Sequence, residues 1–129
     1  MLKGLYFEVI EQVGSLVIKG VKKMKLAIIL ETKEHEKAWN AFRFGVAALK
    51  KKHEVKFFLM GEAVEIESIQ DKQYDVPAEM KKLEDLGGEL LACGTCLKSR
   101  HLEEQTSCPI STMVDCVEIV EWADQTVTF

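Results

Sequence analysis

The sequence is poor in proline and glycine, and it has no long apolar run. Its 129 residues include two prolines and eight glycines, which argues against an all-β fold with many turns and against a low-complexity linker. No apolar stretch approaches the roughly 20 residues that a membrane-spanning helix requires. With 47% hydrophobic and 29% charged residues, the chain has the composition of a soluble globular protein. Its length predicts one domain with at most a short appendage.

Positive charge is missing from one end of the chain. Residues 101–129 hold six acidic residues and no lysine or arginine, and the net charge of the whole chain is −4. Acidic surfaces bind nucleic acid poorly because they repel its phosphates. We therefore expect no direct nucleic-acid binding and no membrane association.

A convincing secretory signal is also missing. Glu8 and Glu11 interrupt the N-terminal region that would have to be apolar, and no small-residue cleavage site follows. We therefore expect a cytoplasmic protein. In that compartment four cysteines are expected to be reactive, metal-binding or buried rather than joined as structural disulfides.

The pattern of apolar residues divides the chain into an extension, residues 1–23, and a domain, residues 24–129. Residues 2–17 show helical spacing and predict an amphipathic helix. Its stripe is Leu2, Leu5, Tyr6, Val9, Ile10, Val13, Leu16 and Val17. This stripe and an apolar C-terminal strand exceed what one small sheet obviously covers, so we expect a homo-oligomer.

From Met24 onward, strand-like and helix-like segments alternate. The predicted strands are 25–30, 54–60, 89–93 and 126–129. The predicted helices are 33–52, 62–69, a segment that Asp75 caps and Gly87-Gly88 ends, and 111–123, with Val114, Val117 and Val120 on one side of the last. Such alternation is typical of βαβ units, so we predict a three-layer α/β fold with a flavodoxin-like parallel sheet.

The segment after the third predicted strand carries the most distinctive chemistry. Ligands of open parallel sheets bind beyond the carboxyl ends of the strands, here the loops after Leu30, Met60 and Ala92. Cys93 stands at the last of these exits. A helical turn starting near Thr95 would point free N–H groups at the Cys93 sulfur and favour its thiolate, the nucleophilic form. We therefore expect Cys93 to be a nucleophile that lies in reach of solvent and ionises readily.

Residues around Cys93 can support this role. Lys98 and Arg100 bring positive charge within a few residues and would lower the pKa of the thiol. Gly94 has no side chain, so a substrate or a second sulfur can approach the backbone there.

Several functions remain open for the string Cys93-Gly94-Thr95-Cys96. Cys93 can accept a sulfur atom as a persulfide and pass it on. Alternatively, Cys93 and Cys96 form a dithiol redox pair, or both cysteines bind zinc together with His101 and Cys108. The cysteines can also be small packing residues at a strand exit. Cys108 is expected to be a partly exposed loop cysteine, and Cys116 a packed helix residue.

The sequence resembles the DsrE/DsrF-like family over residues 24–129. The resemblance is carried by the exit of the second strand, Phe-Phe-Leu-Met60-Gly61-Glu62-Ala63-Val64, and by the segment Leu-Ala-Cys93-Gly94-Thr95-Cys96-Leu97. A third piece is the C-terminal segment from Ala123 to Phe129. The Cys-Gly-x-Cys segment places the chain nearest to the YchN-like branch, which is related to the TusD-type sulfur relay subunits.

The resemblance implies a cytoplasmic α/β domain that assembles as a trimer or hexamer. It also implies a sulfurtransferase-type persulfide carrier in which Cys93 is the catalytic sulfur-bearing residue and Cys96 an optional resolving thiol. Gly94, Thr95, Lys98 and Arg100 would support them. We expect no cofactor and no metal, and partners that are sulfur donor or acceptor proteins. The alternative is a non-catalytic oligomeric interaction module.

Overall fold

The computed structural model describes residues 22–129. The helix predicted over residues 2–17 lies outside the described residues. In chain order the elements are β1 (Lys25–Leu30), α1 (His35–Lys50), β2 (Glu54–Leu59), a 3-10 helix (Gly61–Ser68), α2 (Val76–Asp85), β3 (Glu89–Cys93), α3 (Gly94–Lys98), β4 (Ile110–Ser111), α4 (Met113–Trp122) and β5 (Gln125–Thr128). No helix of this described part is long and apolar enough to cross a membrane.

The strands form one five-stranded sheet in the order β4-β3-β2-β1-β5. Every neighbouring pair is parallel. Parallel neighbours require crossover connections, and helices provide them. The predicted α/β class with a parallel sheet is therefore confirmed.

Helices α1 and α2 cover one face of the sheet. Phe42 of α1 stacks on Phe57 of β2 with ring centroids 4.2 Å apart, and both side chains are fully buried. Gly45 allows close packing at this point, because a Cβ atom there would lie 2.6 Å from Leu83 of α2 and 3.2 Å from Ile28 of β1. Apolar side chains of the three inner strands meet this helix layer and form the main core.

Helix α4 covers the opposite face. Lys56 of β2 places its ammonium group 4.5 Å from the ring centroid of Trp122 in α4. The Lys56 side chain therefore points toward the face of the sheet that α4 covers. Cys116 and Ile119 are the α4 side chains buried against the sheet. The molecule therefore has the three layers that the sequence predicts.

Two predicted helices begin later than expected. Helix α1 starts at His35 because the Glu34 carboxylate accepts hydrogen bonds from the backbone N–H groups of Glu36 and Lys37 and so caps it. The last helix was predicted from residue 111 but starts at Met113. Residues 110–111 form β4 instead, a strand that the sequence prediction missed because two residues are too few to show a period.

The valine stripe of α4 faces away from the sheet. Val114, Val117 and Val120 are 66%, 53% and 42% exposed. Ile110 of β4 and Met113 extend this apolar surface, each 52% exposed. We call these five residues the α4 apolar surface. Apolar spacing located the helix correctly but not which of its sides faces the core.

Candidate functional site

The exits of the three inner strands meet at one edge of the sheet, as expected. The backbone N–H of Met60 donates to the carbonyl of Leu30 at 3.0 Å, which ties the end of β2 to the end of β1. The backbone N–H of Lys33 donates to Glu62 at 3.1 Å. The chain therefore brings the loops after β1 and β2 together beside the exit of β3, where the cysteines stand.

Cys93 is the last residue of β3 and the N-cap residue of α3. Its neighbours in register show which way it points: Lys56 pairs with Glu89 and Phe58 with Leu91, so Cys93 shares the side of the sheet that α4 covers. The side chain is only 3% exposed. The expectation of a solvent-accessible Cys93 is wrong for the single chain, because β4 and α4 complete the wall around it.

Cys96 lies one turn into α3 and is partly exposed. Its sulfur accepts a hydrogen bond from the backbone N–H of Gly61 at 3.2 Å. Gly61 adopts a φ of 58°, a left-handed conformation that glycine adopts without strain. The turn at the end of β2 therefore supplies a donor to the more accessible of the two sulfurs.

Cys93 and Cys96 lie three positions apart at the junction of β3 and α3, near enough for Cys93 to raise the pKa of the Cys96 thiol. Burial raises the pKa of the Cys96 thiol, and the hydrogen bond with Cys93 raises it further, while the Gly61 N–H and the charge of Arg100 lower it. The net result is a pKa above the ordinary value. Neither sulfur is part of a disulfide, so the site holds two nearby cysteines of unequal exposure.

Charged side chains surround the cysteine pair, but they largely neutralise one another. Glu65 accepts from Lys33 Nζ at 3.0 Å and from Arg100 Nε at 2.7 Å. These hydrogen bonds lower the pKa of Glu65. Arg100 also donates through Nη1 to the Cys96 carbonyl at 3.1 Å. Arg100 therefore anchors α3 to the 3-10 helix and acts electrostatically on Cys96.

The remaining predicted supporting residues have different surroundings. Thr95 and Lys98 are exposed on α3. A Cβ atom at Gly94 would lie 3.0 Å from Ile110 and 3.2 Å from the Ser111 carbonyl. The absence of a side chain at Gly94 thus allows β4 to approach, a use of the glycine that the sequence did not indicate.

Cys108 lies apart from the cysteine pair. It is 4% exposed, so the expectation of a partly exposed loop cysteine is wrong. Its thiol donates to Glu67 at 3.2 Å. Burial, followed by the bond to Glu67, raises the pKa of Cys108 to about 12. Cys116 is 4% exposed, which confirms it as a packed helix residue, and burial raises its pKa.

The zinc hypothesis finds no support in the described part of the chain. Among residues 22–129, no three histidine, cysteine or acidic side chains are grouped so that they could hold a metal ion.

Three contributors to the site escaped the sequence analysis. Gly61 supplies the N–H donor to Cys96, Glu65 joins the two cations, and Cys116 lies close enough to Cys93 for the two thiols to interact electrostatically. Gly61 carried a readable signal, since a glycine directly after a buried strand is typical of a tight turn. Neither Glu65 nor Cys116 has a comparable local signal.

Fold and site together define a class of protein. It is the class of three-layer, flavodoxin-like α/β proteins with a cysteine pair at the carboxyl edge of a parallel sheet. Within that class, the chain belongs to the DsrE/DsrF-like family, whose family model matches residues 24–129. The family resemblance seen in the sequence is therefore confirmed.

The chain is similar to known proteins in sequence and in fold. An uncharacterized protein of Methanocaldococcus jannaschii is 31% identical over 114 residues, covering 82% of this chain and 100% of its own length. An uncharacterized protein of Methanopyrus kandleri is 31% identical over 117 residues, covering 86% and 97%. The solved structure of a conserved protein of unknown function from Bacteroides thetaiotaomicron matches with a TM-score of 0.67 and 15% identity, covering 81% and 95%. This last likeness concerns the fold alone.

Proposed function

We propose that the protein is a cytoplasmic sulfur carrier with sulfurtransferase-type chemistry, and that Cys93 bears the transferred sulfur as a persulfide. The observation that carries the proposal is the placement of two free thiols, Cys93 and Cys96, together at the carboxyl edge of the sheet, where β3 ends and α3 begins. Ligands of open parallel sheets bind at that edge. Membership of the DsrE/DsrF-like family is compatible with a sulfur-relay role.

The surroundings of the pair suit sulfur transfer between thiols. A persulfide forms when a thiolate attacks the outer sulfur of a donor, so the acceptor needs hydrogen-bond donors that stabilise its anion. The Gly61 N–H provides one at Cys96. The buried position of Cys93 would shield a persulfide from water and from adventitious thiols.

Intact-mass analysis tests the proposal. After incubation with inorganic polysulfide and desalting, wild-type protein should gain the mass of one sulfur atom, and a reductant should remove it. Peptide mapping of the loaded wild-type protein should locate that sulfur on Cys93. Wild-type protein that gains no sulfur would contradict the proposal.

A non-catalytic interaction module is the second candidate, and the α4 apolar surface favours it. Five large apolar side chains lie exposed on neighbouring positions, and contiguous exposed apolar groups mark interaction sites. Native-state alkylation from neutral to alkaline pH separates the two candidates. Complete inertness of both Cys93 and Cys96 favours the module, whereas modification of either favours chemistry.

We also propose that the chain assembles with copies of itself, as a trimer or hexamer. The α4 apolar surface supports association because burying it would remove large apolar groups from water. Val117→Glu places a charge on that surface and should lower the particle mass measured by light scattering. Lys81→Glu, on the exposed side of α2, is the matched control and should leave the mass unchanged. A monomeric wild type at micromolar concentration would contradict the proposal.

A further inference from the structure

We propose that Cys96 is the thiol that receives sulfur from the donor and that Cys93 takes the sulfur from Cys96. The proposal rests on the sulfur-carrier function above and adds an order of events to it. It assigns an essential acceptor role to a residue that the family resemblance marks only as an optional resolving thiol.

Accessibility separates the two sulfurs. Cys93 is 3% exposed, closed in by α4 on one side and by β4, which pairs with it through Ser111. Cys96 is partly exposed. Thiol exchange requires that the attacking sulfur reach the donor along the line of its S–S bond. In the single chain Cys96 meets that requirement better than Cys93.

Hydrogen bonding also favours Cys96 over Cys93 as the first acceptor of sulfur. The Cys96 sulfur accepts the Gly61 N–H at 3.2 Å, and Arg100 holds the carbonyl of the same residue at 3.1 Å. A donor aimed at sulfur stabilises the thiolate that attacks and later leaves. The side chain of Cys93 makes no such bond as the N-cap residue of α3.

The position of the two cysteines, three residues apart across the junction of β3 and α3, allows a direct transfer. In the first step the Cys96 thiolate attacks the outer sulfur of a persulfide or polysulfide donor, the donor's S–S bond breaks, and the donor leaves as a thiolate. In the second step the Cys93 sulfur attacks the outer sulfur of the Cys96 persulfide. The S–S bond to Cys96 breaks as the bond to Cys93 forms, and the Cys93 proton passes to the released Cys96 thiolate. One sulfane sulfur changes carrier, and no oxidant or reductant is consumed.

A set of single variants tests this order with inorganic polysulfide as the donor. Cys96→Ser should take up sulfur at least about tenfold more slowly than wild type, since only the enclosed thiol of the pair remains. Cys93→Ser should load at the wild-type rate and keep its sulfur on Cys96. Cys108→Ser is the matched control, because a serine hydroxyl can donate the bond that the Cys108 thiol now makes to Glu67, and it should behave as wild type.

The outcomes distinguish the two proposals. Wild-type protein that takes up no sulfur overturns the carrier function and the order of events together. Cys96→Ser that loads Cys93 at the wild-type rate overturns only the order. A Cys93–Cys96 disulfide with released sulfide, in place of a Cys93 persulfide, also overturns the transfer to Cys93.

A second measurement uses the wild-type protein, so its result does not depend on whether Cys96→Ser folds. Wild type is pulsed with polysulfide, trapped with an alkylating reagent at increasing times, and digested. Mass mapping of the peptides should locate the extra sulfur first on Cys96 and later on Cys93. Its first appearance on Cys93 would overturn the proposal whether or not Cys96→Ser folds.

Discussion

At the scale of single residues, the four cysteines differ because their surroundings differ. Cys93 and Cys116 lie between the sheet and α4, Cys96 meets the Gly61 N–H, and Cys108 meets the Glu67 carboxylate. A nearby N–H donor favours a thiolate, whereas a nearby carboxylate disfavours it. The sequence alone does not distinguish the chemistry of the four cysteines. Their contacts in the folded chain give each thiol a different environment.

Alkylation of Cys96 should depend steeply on pH. Because burial raises its pKa above the ordinary value, its reaction with iodoacetamide should be slow at pH 7 and should still be accelerating at pH 9. Peptide mass mapping over a pH series measures this. Cys108, with a pKa of about 12, should stay unmodified over the same range. A Cys96 rate that levels off below pH 9 would contradict the assigned direction.

Glu67 holds the segment that leads to β4. Its carboxylate accepts from the Ser107 N–H at 3.1 Å, the Ser107 hydroxyl at 3.0 Å and the Thr106 hydroxyl at 3.3 Å, besides Cys108. Glu67→Gln replaces one carboxylate oxygen, which accepts hydrogen bonds, with an amide NH₂ group, which cannot accept them from these N–H, O–H and S–H donors. We expect it to lower the free energy of unfolding by about 1–3 kcal/mol, measured by urea denaturation. Glu118→Gln on the exposed side of α4 is the control and should change it by less than about 0.5 kcal/mol.

At the scale of elements, capping decides where helices begin. Thr112 and Asp115 form a capping box at α4, in which each side chain accepts the other's backbone N–H, at 3.1 and 3.3 Å. Ser111 adds its hydroxyl to the same Asp115 oxygen at 2.6 Å, and this bond lowers the pKa of Asp115. The short β4 can therefore end and α4 can begin within one residue.

Thr112→Ala removes the cap while leaving the helix sequence intact. We expect a loss of about 1 kcal/mol in the free energy of unfolding, because a first-turn N–H loses its partner. Thermal or urea denaturation measures it. Thr112→Ser keeps an accepting oxygen and should restore most of the stability. Equal destabilisation by both substitutions would show that the cap is not the source.

Most elements were readable from the sequence, since long periodic segments carry strong signals. The bounds of β1 and β3 agree with the prediction, and Asp75 caps α2 as expected, accepting from Ala78 N–H at 3.2 Å. The 3-10 helix at Gly61–Ser68 was predicted as a short helix at 62–69. What failed was β4, whose pairing to β3 is a long-range event that leaves no local pattern.

At the scale of the whole molecule, buried thiols make stability depend on pH. The folded pKa of Cys108, about 12, lies above the unfolded value of about 8.5. Above pH 8.5 the unfolded chain releases its proton first, so this contribution to stability is present below that pH and is lost as the pH rises toward 12.

The free energy of unfolding should therefore fall above pH 8.5, with a slope from Cys108 on the order of 1 kcal/mol per pH unit. Urea denaturation at a series of pH values measures it. Cys108→Ser removes the titrating group and should make the curve shallower. Curves of the same slope for wild type and variant would rule out this assignment.

The sequence by itself determined the α/β class, the positions of the main strands along the chain and the place of the Cys93–Cys96 segment at the sheet's carboxyl edge. Apolar periodicity, capping residues and the Cys-Gly-x-Cys segment are local features, and each can be read within about ten residues. Only the tertiary structure decided that Cys93 is enclosed, that Gly61 donates to Cys96 and that the valines of α4 face outward. Those facts depend on contacts between segments far apart in the chain, such as Gly61 and Cys96, where burial and hydrogen-bond partners are set by the packing of whole elements.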